Sequence, residues 1–399
     1  MSTEAAGADG RAAAAGIRRG ASYIPELESL RGLAILLVVW FHFEGILYLP
    51  LARPQSVLWP PQAFVRAGHT GVSLFFVLSA FLLSLPFLSE PRGGPYLSIG
   101  HYFRRRALRI LPLYWTAVAV GAALAAHEAG DLRQGLPYLF FLNAWPGMAE
   151  RLMGGYSDVW WSLATEVQFY FVLPLVLLCR RLRGGGWLAA ALLAGSLTVY
   201  VLFERQTIHA ATLEGQLLLG DSILGRGPQF LIGGLAAWLY LRLRTYAGRS
   251  APAWWRLGGA DAALFVTLLA LAYLLRWVIE GGGQRFLNVP TQAWHVPEAA
   301  LWAAIVLLVL LAPLRTKRLW SNAWLERLGL LSYSLYMWHV PLAVGVNVAL
   351  IRLGLRGLPG WNWMSGVQAV GMGALCVAVS GLTYRYIERP FLTRKARLS

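Results

Sequence analysis

Along the chain, long apolar runs alternate with short polar connections. The runs lie near 33–50, 71–88, 109–126, 159–179, 186–203, 223–241, 259–279, 298–314, 329–350 and 364–384. A helix rises about 1.5 Å per residue, so roughly 20 apolar residues span the ~30 Å of a bilayer's hydrocarbon. The pattern predicts an all-α polytopic membrane protein of about ten transmembrane helices. With the first end in the cytoplasm, 25 of the 35 Lys and Arg residues fall on inner segments and 10 on outer ones. Inner loops of membrane proteins are enriched in these cations, so both termini are expected to be cytoplasmic. The longer outer connections, 127–158, 204–222 and 280–297, are rich in Gly, Pro and Trp and are expected to roof a cavity.

Composition agrees with a lipid-embedded chain. Of 399 residues, 57% are hydrophobic and 14% charged, against roughly 25% charged in soluble domains. The sequence divides into a basic cytoplasmic tail, 1–24, expected to be disordered; one transmembrane domain, 25–391; and a basic cytoplasmic tail, 392–399. Arg11, Arg18 and Arg19 precede no apolar signal core, so the first span is expected to be an uncleaved anchor in the plasma membrane. The net charge of +16 sits in clusters between apolar segments. Membrane lipid, rather than nucleic acid, is the partner it implies. Cys179 and Cys376 lie in apolar runs without metal-ligand spacing, which argues against a disulfide framework, redox pair or metal site.

Ionisable groups at bilayer depth are costly unless paired or facing water, and therefore mark candidate chemistry. His42 stands eleven residues after Arg31, which places its imidazole about 16 Å above the inner surface. His339, beside Tyr336, and Ser79 reach a similar height of about 15 Å, whereas Glu166 lies higher, about 21 Å above the inner end at Arg180, where its carboxylate is expected to orient an imidazole or hold an acceptor hydroxyl. Glu44 follows His42 by two residues. Transfer of an acyl group to an alcohol needs a base, and an imidazole titrates in the useful range. A coenzyme A thioester carries phosphates, for which Arg31, Arg104, Arg105, Arg106 and Arg109 stand on the inner side.

Six blocks then occur in order between Glu26 and Phe391: RGLAILLVVWFHF, FFVLSAFL, RRRALRILPLYW, WSLATEVQFYFVLPL, LSYSLYMWHVPL and YRYIERPF. Together they resemble the acyltransferase-3 family of membrane O-acyltransferases, whose members transfer acetyl or related groups to O-antigens, exopolysaccharides, peptidoglycan, glycolipids or macrolide sugars. The resemblance implies acyl-CoA, acetyl-CoA first, as a co-substrate rather than a resident cofactor, and a carbohydrate, glycolipid or glycoside acceptor. It carries a catalytic arginine and histidine onto Arg31 and His42, and a donor-side arginine motif onto Arg106 and Arg109. The sequence departs from the family pattern at Ala80, where Gly is usual; at Ser73, where Asp is common; and at Val167, which replaces the second of two tandem glutamates after Glu166. These departures bear on the acceptor rather than on the reaction. No fused esterase-like domain is expected after the last span.

Plainer roles stand beside these. His42 and His339 could each join neighbouring helices by a hydrogen bond, Glu166 could neutralise an arginine, and topology alone accounts for Arg104 and Arg105. His69, His101, His127, His209 and His295 read as solvated or interfacial, and most tryptophans, Trp160, Trp254 and Trp255 among them, as an interfacial belt. The rival function is a carrier for a lipid-linked sugar or other amphiphile, which paired inverted repeats would mark; none is visible in the sequence.

Overall fold

A computed structural model of the chain describes residues 24–47, 60–89, 99–125, 135–144, 157, 159–179, 220–247, 251–280, 294–355 and 363–396. The long helices are α1 (Pro25–Leu47), α3 (Thr70–Ser89), α4 (Ile99–Ala125), α6 (Trp161–Cys179), α7 (Ile223–Ala247), α8 (Ala260–Glu280), α9 (His295–Leu311), α11 (Ala323–Arg352) and α12 (Trp363–Thr383). Short helices α2 (Pro60–Arg66), α5 (Leu136–Leu139), α10 (Lys317–Trp320) and α13 (Arg389–Ala396) lie between and after them. The nine long helices fall on nine of the ten apolar stretches; the remaining stretch, 186–203, lies outside the described residues. Among the described residues, six segments, beginning at Pro25, Thr70, Ile99, Trp255, Lys317 and Gly366, are long and apolar enough to cross a membrane. The chain is thus a multi-pass membrane protein. Residues 392–396, read from sequence as tail, belong to α13.

Helices α1 and α11 begin well before their apolar runs, because their first turns carry polar residues with local work to do. Pro25 opens α1, where its missing N–H is no loss, and Glu26 and Glu28 face the positive end of the helix dipole. Asn322 caps α11, its side-chain oxygen accepting from the N–H groups of Trp324 and Leu325 at 3.2 and 3.0 Å. Between these two helices the backbones nearly touch. A methyl group at Gly32 would overlap the Leu325 carbonyl, and one at Gly329 the Glu28 carbonyl. Small residues are what permit such approach in lipid. The pairs Arg31–Ser332 and His42–His339 are separated by 301 and 297 residues, so α1 and α11 run parallel with an almost constant offset. Fixing the glycine end therefore fixes the histidine end.

Around this pair sit two apolar cores. One gathers Phe76, Leu113, Tyr114, Trp160 and Met337; the other gathers Leu74, Leu78, Phe81, Leu271 and Trp302. Trp160 is fully buried, so it is a core residue and not part of a belt. The outward faces are apolar as well: Leu124, Phe171, Leu175, Phe265, Val266 and Val370 are all exposed. That inversion of the soluble pattern is what hydrocarbon around the bundle requires. Part of the connection between α4 and α6 folds back on the bundle, where Phe141 stacks on Tyr114 at 4.4 Å and Tyr138 bonds Ser157 at 2.9 Å.

Candidate active site

A cavity of about 130 Å³ runs between α1, α3, α4, α6 and α11. Arg31, Arg106 and Arg109 line one part, and Ser79, Glu166 and Tyr336 another. From Tyr170 to Ser162, both on its wall, α6 rises about 12 Å. Residues three apart share a helix face, and this brings Arg106 and Arg109 of RRRALR to the cavity together. Arg104 is exposed, and neither it nor Arg105 lines the cavity.

Each cavity arginine is held differently. Arg31 donates to the Ser332 hydroxyl at 3.0 Å and lies 3.6 Å from Glu28. Arg109 lies 3.6 Å from the buried Glu388 and 5.8 Å above the Tyr333 ring, which is itself anchored by donation to the Ile110 carbonyl at 2.7 Å. Glu388 also accepts from the Ser334 hydroxyl. Arg106 sits 5.9 Å over the Tyr170 ring, and its buried Nε has no hydrogen-bond partner among the described residues. Three guanidinium groups, one with an unmatched buried donor, form a cationic lining suited to phosphate.

Deeper in, the Ser79 and Tyr170 hydroxyls donate to the same Glu166 oxygen at 2.5 and 2.8 Å. Glu166 therefore meets hydroxyls, with no arginine ion pair among the described residues, and it lies at the level of Ser79 rather than above it. The helix tilts and offsets that produce this are not contained in residue counts along one helix. Tyr336 closes this end, its hydroxyl 2.5 Å from Ser162 and donating to the Val159 carbonyl.

Beyond Tyr336 lie the two imidazoles. The rings of Tyr336 and His339 are 5.6 Å apart, and those of His339 and His42 are 5.0 Å apart. Carbonyl oxygens only accept, so the contacts assign the tautomers. His339 Nδ1 donates to the Tyr336 and Leu335 carbonyls at 2.8 and 3.0 Å, which leaves its Nε2 as an acceptor. His42 Nδ1 donates to the Val38 carbonyl at 2.8 Å, with His339 Nε2 at 3.4 Å as a second, longer acceptor. The Nε2 of His42 accordingly carries the free lone pair. His42 is partly exposed and is not on the lining of the arginine cavity, so Tyr336 and His339 stand between that cavity and the imidazole. The sequence reading has the thioester enter past the arginines with His42 as base at the midplane; neither His42 nor His339 is on the lining of this cavity. Glu44 is outside the lining too, within electrostatic reach of Arg66.

A second polar group is absent from the sequence reading. Arg226 on α7 donates to His295 at 2.6 Å and to the Gly220 carbonyl at 2.6 Å, and it packs 5.1 Å over Trp161. His295 lies 3.1 Å from Glu298, which accepts from Ser73 at 2.7 Å; Gln229 in turn donates to Ser73 at 2.8 Å. All five side chains are buried. His295 is thus no solvated loop residue, because α9 begins there and turns it inward. Ser73, at a position where the resemblance leads one to expect Asp, was the available clue. His127 and His209 lie outside the described residues. Among the described residues, no group of three or more His, Cys, Asp and Glu stands ready to hold a metal ion.

Residues 24–385 match the family model described as an acyltransferase domain, Acyl_transf_3. The chain is 26% identical over 385 residues to the putative membrane-bound transacylase BcsY of Komagataeibacter xylinus, covering 93% of this chain and 84% of that protein. It is 21% identical over 388 residues to the O-acetyltransferase OatA of Staphylococcus aureus, covering 92% of this chain and 57% of OatA's length. No solved structure matches.

Proposed function

The chain belongs to the acyltransferase-3 family of membrane acyltransferases, and on that premise we propose that it moves an acetyl or related acyl group from acyl-CoA to a hydroxyl of a carbohydrate or glycoside. The observation that carries the donor half is the buried Arg106 Nε, without a hydrogen-bond partner among the described residues, beside Arg31 and Arg109. Charge-assisted bonds from these groups hold the nucleotide phosphates at the cavity mouth, on the cytoplasmic side. The thioester extends toward Ser79 and Glu166, and its acyl end passes Tyr336 when that ring swings from Ser162. Names given to relatives, transacylase and O-acetyltransferase, support an acyl group landing on oxygen.

At the reacting centre, the Nε2 lone pair of His42 takes the proton of the acceptor hydroxyl. The acceptor oxygen attacks the thioester carbonyl, the carbon–sulfur bond breaks, and the proton passes from His42 to the departing thiolate. An ester and free coenzyme A result. His339 and the Val38 carbonyl hold the imidazole in the tautomer that makes Nε2 basic, and they share the charge it acquires. The same geometry serves a short-lived acyl group on a protein atom, with His42 acting on each half-reaction.

The test is transfer of label from acyl-CoA to an offered glycoside by purified protein in liposomes. Wild type is expected to yield labelled ester, and His42→Gln to lose at least ~10²-fold in rate. Passage of the glycoside across the bilayer without ester formation would favour the carrier reading instead.

A further inference from the structure

A second concavity, of about 670 Å³, opens on the outside of the bundle between the ends of α7 and α9 and the turn that precedes α8. Its wall is apolar and aromatic: Leu243 and Tyr246 from α7, Trp254 and Trp255 from the turn, and Leu308 and Pro313 from the end of α9. The turn is built for this shape. Gly258 holds φ +137°, a backbone conformation that suits only glycine, and it kinks the chain within Trp255–Gly259, just before α8. At Gly259 the Trp254 ring lies where a side chain would otherwise stand, and the two tryptophan rings meet edge to face at 5.4 Å. Trp254 nonetheless remains 66% exposed.

The lining itself carries no charge, but three arginines adjoin it in sequence. Arg244 lies between the lining residues Leu243 and Tyr246, Arg256 follows Trp255, and Arg315 follows Pro313 by two residues; all three are exposed. Arg315 donates to the Leu257 carbonyl at 3.4 Å, which ties the α9 end to the turn. The acid at this place, Asp261, is engaged by the N–H groups of Arg315 and Thr316 and by the Thr316 hydroxyl, at 3.1, 3.0 and 2.6 Å. Lys317 pairs with Glu26 at 3.0 Å, so the groove opens at the same end of the bundle as the start of α1. An apolar trough edged by tryptophan, with arginines at the level where a span ends, has the layout of a lipid acyl region below a headgroup.

We infer that this groove is a binding site for an anionic phospholipid, with acyl chains against Trp254, Trp255 and Leu308 and the headgroup phosphate between Arg244, Arg256 and Arg315. Charge complementarity selects the occupant, since a zwitterionic lipid fits the trough equally but gains less from three cations. The site is separate from the arginine cavity, so its test does not depend on acyl transfer.

Protein purified in neutral detergent would be offered phosphatidylglycerol and phosphatidylcholine in equal amounts, and retained lipid counted by native mass spectrometry. Wild type is expected to keep phosphatidylglycerol at least ~5-fold in excess, the low end of ordinary coupling energies. The triple variant Arg244→Gln, Arg256→Gln, Arg315→Gln should fall to parity while still binding either lipid. Trp254→Ala should reduce both lipids together. Equal retention of the two lipids by wild type, or an undiminished preference in the triple variant, would overturn the assignment. If the triple variant unfolds, Arg244→Gln alone is used, with the same two outcomes.

Discussion

The assignment of the His42 tautomer rests on the Val38 carbonyl, and that of His339 on the Leu335 and Tyr336 carbonyls; together they give the two histidines unequal roles. Loss of the base in His42→Gln should lower kcat by ~10²–10⁴-fold without unfolding the protein. His339→Ala removes one long acceptor and should lower kcat only ~2–10-fold, the equivalent of a single hydrogen bond. Equal effects at the two sites would mean that the imidazoles act as one structural unit. The arginines also divide. Arg106→Gln should raise KM for acyl-CoA on the order of tenfold or more and leave kcat nearly unchanged, because it removes a charged donor that acts on a remote part of the substrate. Arg109→Met instead leaves the buried Glu388 without its cation and should destabilise the protein by ~3–5 kcal/mol. Adding Glu388→Leu should restore part of that loss, as read from thermal melting in detergent.

The nine described long helices were legible in the sequence because a sustained apolar run marks a helix of this kind, and Arg31, Arg106, Glu166 and Ser79 were legible as charged or hydroxyl groups within or beside those runs. Lateral neighbours were not legible. Depth along one helix cannot say that Ser79 and Tyr170 converge on one oxygen of Glu166, or that Tyr336 separates the cavity from His42. The Arg226–His295–Glu298 group was missed for the same reason: Arg226 comes from α7 and the other two from α9, and His295 alone reads as an interfacial residue. Contact between α1 and α11 carries the greatest consequence among elements, since Gly32 and Gly329 set a register that the histidines inherit. Gly329→Leu should therefore abolish folding or activity, whereas Gly345→Leu, on the same helix with open space around it, should be tolerated. Size-exclusion profiles and transfer rates of the two variants would separate these outcomes.

On the scale of the whole molecule, the described helices make a bundle with arginines at one end and a paired imidazole beyond a tyrosine partition. Its outer surface is apolar, and the Arg109–Glu388 pair lies inside. Under the proposed function, the thioester enters by the arginine end and the acceptor from the other side, away from bulk water, which is what separates transfer from hydrolysis. The most direct measurement follows labelled acetyl from acetyl-CoA, supplied on one side of a proteoliposome, to a glycoside supplied on the other. The account predicts labelled glycoside with wild type and a loss of at least ~10²-fold with His42→Gln at unchanged folding. Undiminished transfer by that variant would contradict it.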